Sequence, residues 1–185
     1  MMSREKVVVG FTFNEQKDMN TDIKKIGTIR LGAKVRVTDP CYETSVWCSG
    51  QLDIVPGEYD CYVERTRNGI WGERIARLII ANTEHCRRNV ACTEHVDFEV
   101  GVDSGQAGIF DLQYYEKNQP NEEWYQRICS ITCSDKECGT IDNVGVVTCS
   151  GYGDGGYDAF VKRSNNGEIV AIEIVFIYEE DEEDI

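Results

Sequence analysis

The sequence predicts a mainly β protein: a single compact domain of two packed, antiparallel-rich layers, with at most one or two short helices. Three observations lead there. Apolar and polar residues alternate with period two in several separate stretches, as strands with one buried face do. Pro-Gly and Asn-Gly pairs punctuate those stretches, and Asn-Gly is a dipeptide of tight hairpins. The 185 residues, 41% hydrophobic and 28% charged, suffice for one well-buried domain and are few for two.

The elements follow in order. Residues 1–26 read as an N-terminal strand, Val7 to Phe13, and a polar linker; residues 27–178 form the domain. Gly27 to Val37 sets Ile29, Leu31, Ala33, Val35 and Val37 against Lys34 and Arg36, a half-buried strand that Pro40 ends. Pro56-Gly57 is a turn, and Glu58 to Glu64 alternates after it. Asn68-Gly69 then predicts a hairpin between 58–66 and a strand over Ile70 to Ala81. Val96 to Val102 reads as a strand closed by the turn cluster Asp103-Ser104-Gly105, and Ala107 to Leu112 is a short apolar run. Over residues 112–128 the spacing of Leu112, Tyr115, Trp124 and Ile128 predicts a helical segment broken at Pro120. Gly145 to Cys149 is a strand. Tyr157 to Arg163 and Glu168 to Tyr178 make a hairpin around Asn165-Asn166-Gly167. Its second strand is apolar from Ile169 to Ile177 except for Glu173, which predicts a central strand covered on both faces. Residues 179–185 form an acidic tail, predicted to be solvated and disordered.

Charge and cysteines narrow the function classes. The net charge is −14, and the chain is acidic even without the run Glu179 to Asp184. That argues against nonspecific nucleic-acid binding, which needs clustered Lys and Arg, and leaves a basic partner or a cation compatible. No run approaches the roughly 18 apolar residues of a membrane span, and Val7-Val8-Val9 is too short for a signal-peptide core. The expectation is a cytoplasmic protein with no membrane association. Nine cysteines, an odd number, fit free thiols better than a disulfide framework. His85, Cys86, Cys92 and His95, and separately Cys129, Cys133, Cys138 and Cys149, could gather around a metal. Neither set has the paired C-x2-C spacing of structural zinc sites, so neither a metal nor a cofactor is expected.

The densest motif is Ser150-Gly151-Tyr152-Gly153-Asp154-Gly155-Gly156-Tyr157. So many glycines imply positive φ or close approach of a ligand or another segment. The motif precedes a strand rather than opening a helix, so it is no dinucleotide loop. No G-x-S-x-G elbow, Walker A sequence or H-E-x-x-H pair is present. Adjacent His85 and Cys86 on an extended segment point to opposite faces, which disfavours Cys-His catalysis.

Three ordered segments carry a family resemblance. They are Thr38-Asp39-Pro40-Cys41 followed by Val55-Pro56-Gly57-Glu58-Tyr59; Val100 through Gly105 to Asp111; and Ser150 to Tyr157, ending in Gly167 to Ile172. In order and content they resemble the family called domain of unknown function 4241, found in bacteria and their phages. Ser104 departs from the small residue usual after the middle aspartate. The resemblance covers roughly residues 27–178 and implies a compact, strand-rich domain. It implies no established reaction.

The candidate binding residues are Asp39, Asp103, Ser104, Gly105, Asp111, Gly151, Tyr152, Gly153, Asp154, Gly155 and Tyr157. The aspartates sit at strand ends, where turn formation accounts for each one singly. Gathered at one pole they would bind a divalent cation or act as an acid–base pair. The favoured reading is a non-catalytic binding or protein-interaction domain with a protein or small-molecule partner. The alternative is a metal-assisted hydrolase using carboxylates of the Asp103 and Asp154 loops.

Overall fold

The computed structural model describes residues 21–178, except 69, 71, 87–89 and 119–120. The expected strand at Val7 to Phe13, Gly69, the helix break at Pro120 and the acidic tail lie outside the described residues.

Two antiparallel sheets and two helices make up the fold. The larger sheet contains β1 (Thr21–Leu31), β4 (Gly57–Asn68), β5 (Gly72–Asn82), β12 (Ile169–Val175), β11 (Gly155–Arg163) and β6 (Glu94–His95), hydrogen-bonded in that order. The short β7 (Val100–Val102) also pairs with β11. The smaller sheet runs β3 (Gly50–Asp53), β2 (Lys34–Thr38), β8 (Gln106–Asp111), β10 (Gly145–Cys149) and β9 (Cys138–Ile141). The two inner faces share one core. Ile29, Val63, Leu78, Ile80, Ile172 and Ile174 come from the larger sheet; Val35, Val37, Ile109 and Val146 come from the smaller. The alternation that predicted strands is the alternation that fills this core.

Both outer faces are covered as well. Helices α1 (Leu112–Asn118) and α2 (Glu122–Thr132) bury Tyr115, Trp124 and Ile128 against Phe110 and Val147 of the smaller sheet. Asn121 starts α2 by accepting the Trp124 N–H at 2.7 Å, an N-cap that satisfies one of the unpaired donors of the first turn. On the far side of the larger sheet, Cys86, Val90 and Cys92 pack on Ile79, Phe160, Ala171 and Val175. Strand β12 lies between β5 and β11 and is buried throughout, as its apolar run predicts. Its exception, Glu173, is answered across the sheet. Arg77 lies 3.1 Å from Glu173 and 3.2 Å from Glu64, all three nearly inaccessible. Burial pushes the Glu173 carboxyl up to about 7, with Arg77 opposing the rise and Glu64 adding to it.

Some boundaries differ from expectation. Gly27 to Val37 is not one strand: β1 ends at Leu31, β2 starts at Lys34, and the two belong to different sheets. The chain crosses at Gly32-Ala33, where the Gly32 N–H donates to Asp111 Oδ2 at 2.8 Å. A Cβ on Gly32 would stand 2.9 Å from that oxygen. Of the expected strand Val96 to Val102 only β7, residues 100–102, forms; β6 lies just before it, and both pair with β11. Between them the chain bends so that the Phe98 ring covers Gly50 of the other sheet. Strands β3 and β9, four residues each, are additions. Among the described residues no helix is long and apolar enough to cross a membrane.

Candidate functional site

Asp39 follows β2 directly and is fully buried. A carboxylate taken from water without a cation needs hydrogen-bond donors, and Asp39 has four. Oδ2 accepts the N–H groups of Asp103 and Ser104, both at 2.9 Å. Oδ1 accepts the Ser104 hydroxyl and the Cys41 N–H, both at 2.8 Å. The turn after β7 is thereby fixed to the turn after β2. A second carboxylate extends the tie: Asp154 Oδ1 accepts the Gly105 N–H at 2.9 Å, and the Gly105 carbonyl accepts the Ser150 N–H at 3.0 Å. The segments around residues 39–41, 103–105 and 150–154 therefore meet.

The glycine loop is held from within. The Tyr157 hydroxyl donates to the carbonyls of Gly153 at 2.6 Å and Ser150 at 3.0 Å, and the Ser150 hydroxyl donates to Gly153 at 2.8 Å. Burial raises the Tyr157 phenol above its ordinary value, and its ring meets Phe176 edge-on at 5.1 Å. Gly151 and Gly153 have φ of 56° and 114°, a region that favours glycine. A Cβ on Gly151 would stand 2.9 Å from Phe176 Cβ. The close approach at this position is made by the chain's own Phe176 and Ile177, just after β12. Gly155 already belongs to β11, paired with Val102, and Tyr152, within the loop, is exposed.

Next to this knot lies an open groove of about 510 Å³, a size typical of ligand sites. Pro40, Cys41, Asp103 and Ser104 form one wall; Asn121, Glu122, Trp124 and Tyr125, at the start of α2, form the other. The walls are joined where Trp124, only 2% exposed, donates its Nε1–H to the Pro40 carbonyl at 2.9 Å. Tyr125 is 41% exposed. Hydrogen bonding to the Cys129 thiol, together with nearby Cys41, pushes its phenol up to about 12. Burial pushes the Cys41 thiol up to about 12 as well, so it is a neutral thiol rather than a nucleophilic thiolate. Tyr42, at the same turn, is pushed up to about 12, first by burial and further by neighbours that include Asp39 and Asp103.

Of the aspartates singled out from sequence, only Asp103 lines the groove. It is exposed, and its carboxylate accepts no hydrogen bond and makes no ion pair among the described residues. Asp39 and Asp154 are engaged with backbone N–H groups. Asp111 does not join them. It sits at the other end of β8 from Gln106, about 17 Å away at the usual strand rise. There it accepts the N–H groups of Gly32 and Tyr114. Cys41, Asn121, Glu122, Trp124 and Tyr125 were not singled out from sequence. The signal for two of them was local: Asn121 followed by Glu122 and Glu123 is a helix start.

The cysteine and histidine groupings do not converge on a metal. Among the described residues, no three or more His, Cys, Asp or Glu side chains are placed to hold one ion. Cys86 and Cys92 are buried in the apolar cover of the larger sheet, while His95 contacts Asp158 at 3.0 Å. All nine cysteines are free thiols.

Neither protein-family models, nor curated proteins, nor solved structures give a match to this chain. The resemblance to domain of unknown function 4241 rests on the three sequence segments alone.

Proposed function

We propose that this protein is a non-catalytic binding domain whose groove takes a basic side chain, Lys or Arg, from a partner polypeptide in the cytoplasm. The observation that carries the reading is the Asp103 carboxylate, which has no hydrogen bond or ion pair among the described residues and lines a groove with an aromatic wall. Glu122, which also accepts from Gln126 at 3.1 Å, adds a second negative charge. None of the lining residues is basic. A cation between Asp103 and the face of Tyr125 would gain both an ion pair and cation–π attraction. The net charge of −14 would draw a basic segment in from a distance and repel nucleic acid.

The metal-assisted hydrolase has less support. Asp154 and Asp39 already accept backbone N–H groups, which leaves Asp103 without a carboxylate partner from the glycine loop.

Chemical-shift mapping tests the reading. Adding a lysine-rich peptide to labelled protein should move amide signals of residues 103–105 and 121–125. An acidic peptide of equal length should not. Shifts spread over the whole surface, or equal responses to both peptides, would overturn it.

A further inference from the structure

We propose that Cys133 and Cys149 form a reversible intramolecular disulfide, a thiol-modification site tying the C-terminal end of α2 to the end of β10. The proposal is independent of the groove's ligand.

The register of the smaller sheet selects the pair. Along β10, Val146 faces the core between the sheets and Val147 faces the helices. Alternation therefore puts Cys149 on the helix side. Its Sγ lies 3.4 Å from the Thr132 carbonyl oxygen, one peptide unit from Cys133. Cys133 is the C-cap of α2 and is exposed, where an external reagent reaches it. The two other thiols nearby are placed differently. Cys138 lies opposite Thr148 in the register and belongs to the core between the sheets, so its sulfur is on the far side of β9. Cys129 is one helical turn earlier, with its sulfur beside Gln106 Nε2 and the Tyr125 hydroxyl. Electrostatic influences on the Cys149 thiol, after burial and Glu137, come from both Cys133 and Cys138, so the choice between those two rests on the sheet face.

The chemistry needs a low-molecular-weight disulfide, such as oxidised glutathione, as oxidant. The Cys133 thiolate attacks one of its sulfurs, the oxidant's S–S bond breaks, and one reduced thiol leaves with the electron pair and takes a proton. Cys149 then loses its proton to solvent and attacks the Cys133 sulfur of the mixed disulfide, expelling the second reduced thiol. Two protein thiols are oxidised, and one external disulfide is reduced to two thiols. Burial pushes Cys149 up to about 11, so the second step should quicken as pH rises above neutral. The helix that would be tied down also carries Trp124 and Tyr125.

The test is disulfide mapping of the full chain after incubation with oxidised glutathione and blocking of the remaining thiols. Trypsin cuts after Lys136 and an aspartate-directed protease cuts before Asp142, which separates Cys138 from Cys149; fragmentation then distinguishes Cys129 from Cys133. The expected product has a mass lower by two hydrogens and joins Cys133 to Cys149. C149S should stop at the mixed disulfide on Cys133, and C133S should leave Cys149 reduced. A bridge through Cys129 or Cys138, a stable mixed disulfide on Cys133 in the unmodified protein, or no oxidation at all would overturn the proposal. The mapping uses wild-type protein, so it decides the matter even if a variant fails to fold.

Discussion

Replacing Asp39 with asparagine should loosen the knot that positions Asp103. Asp39 accepts four hydrogen bonds through two oxygens, and the amide of asparagine can accept on only one side. The best arrangement turns the amide oxygen toward the N–H groups of Asp103 and Ser104. The amide NH2 then faces the Ser104 hydroxyl, which can rotate and accept, and the Cys41 N–H, which cannot. One buried N–H loses its partner, at about 1–3 kcal/mol, and two charge-assisted bonds weaken to neutral ones, at about 1 kcal/mol each. Relief from burying the charge offsets part of this, so the net loss should be about 3 kcal/mol. Urea unfolding followed by circular dichroism reads it as a lower midpoint with an unchanged slope. A loss below about 1 kcal/mol would refute the claim that this carboxylate holds the turns together.

Three further outcomes follow from the same structure. In Glu173→Gln the pH dependence of stability should change. The folded protein holds a proton on Glu173 up to about pH 7, whereas the ordinary value is 4.5. Stability should therefore fall as pH rises from about 4.5 to 7, by about 3 kcal/mol, and the variant should lose that fall; an unchanged pH profile in thermal melts would contradict it. Gly151→Ala combines a left-handed φ with a Cβ 2.9 Å from Phe176 and should cost about 1 kcal/mol or more in chemical unfolding. A neutral result would mean that the loop is not fixed by its glycines. Tyr157→Phe removes the hydroxyl shared by Ser150 and Gly153 and should cost about 1 kcal/mol, with faster hydrogen exchange in residues 150–154 if the loop opens.

Much of the fold was legible because a half-buried strand writes its burial in alternation. The closing hairpin shows it best, with Asn166-Gly167 at the turn and Gly167 at φ 83°. Alternation says nothing about which sheet a strand joins, however. It runs unbroken through Gly32, so the crossing from β1 to β2 was hidden there. Strands β3 and β9 are too short to show a period. For the site, glycine and aspartate at turns marked the Asp39, Asp103 and Gly151–Asp154 segments as candidates to gather at one pole, but marked Asp111 equally, and it lies at the other end of β8. What the sequence could not show is that Asp39 and Asp154 are anchors for backbone N–H groups. The opposite wall of the groove was invisible for a simpler reason: Trp124 and Pro40 are 84 residues apart, and only the packing of α2 on the smaller sheet brings them together.

The measurement closest to the central claim is the affinity of a lysine-rich peptide for the wild-type protein and for Asp103→Asn, by isothermal titration calorimetry at low and moderate salt. The Asp103 carboxylate accepts no hydrogen bond among the described residues, and the backbone N–H that donates to Asp39 is kept, so the substitution should leave the unfolding midpoint unchanged. The account predicts binding that weakens with salt and falls about tenfold in the variant, equivalent to about 1.4 kcal/mol. Equal affinity for the two proteins, or no binding to wild type at either salt concentration, would contradict it.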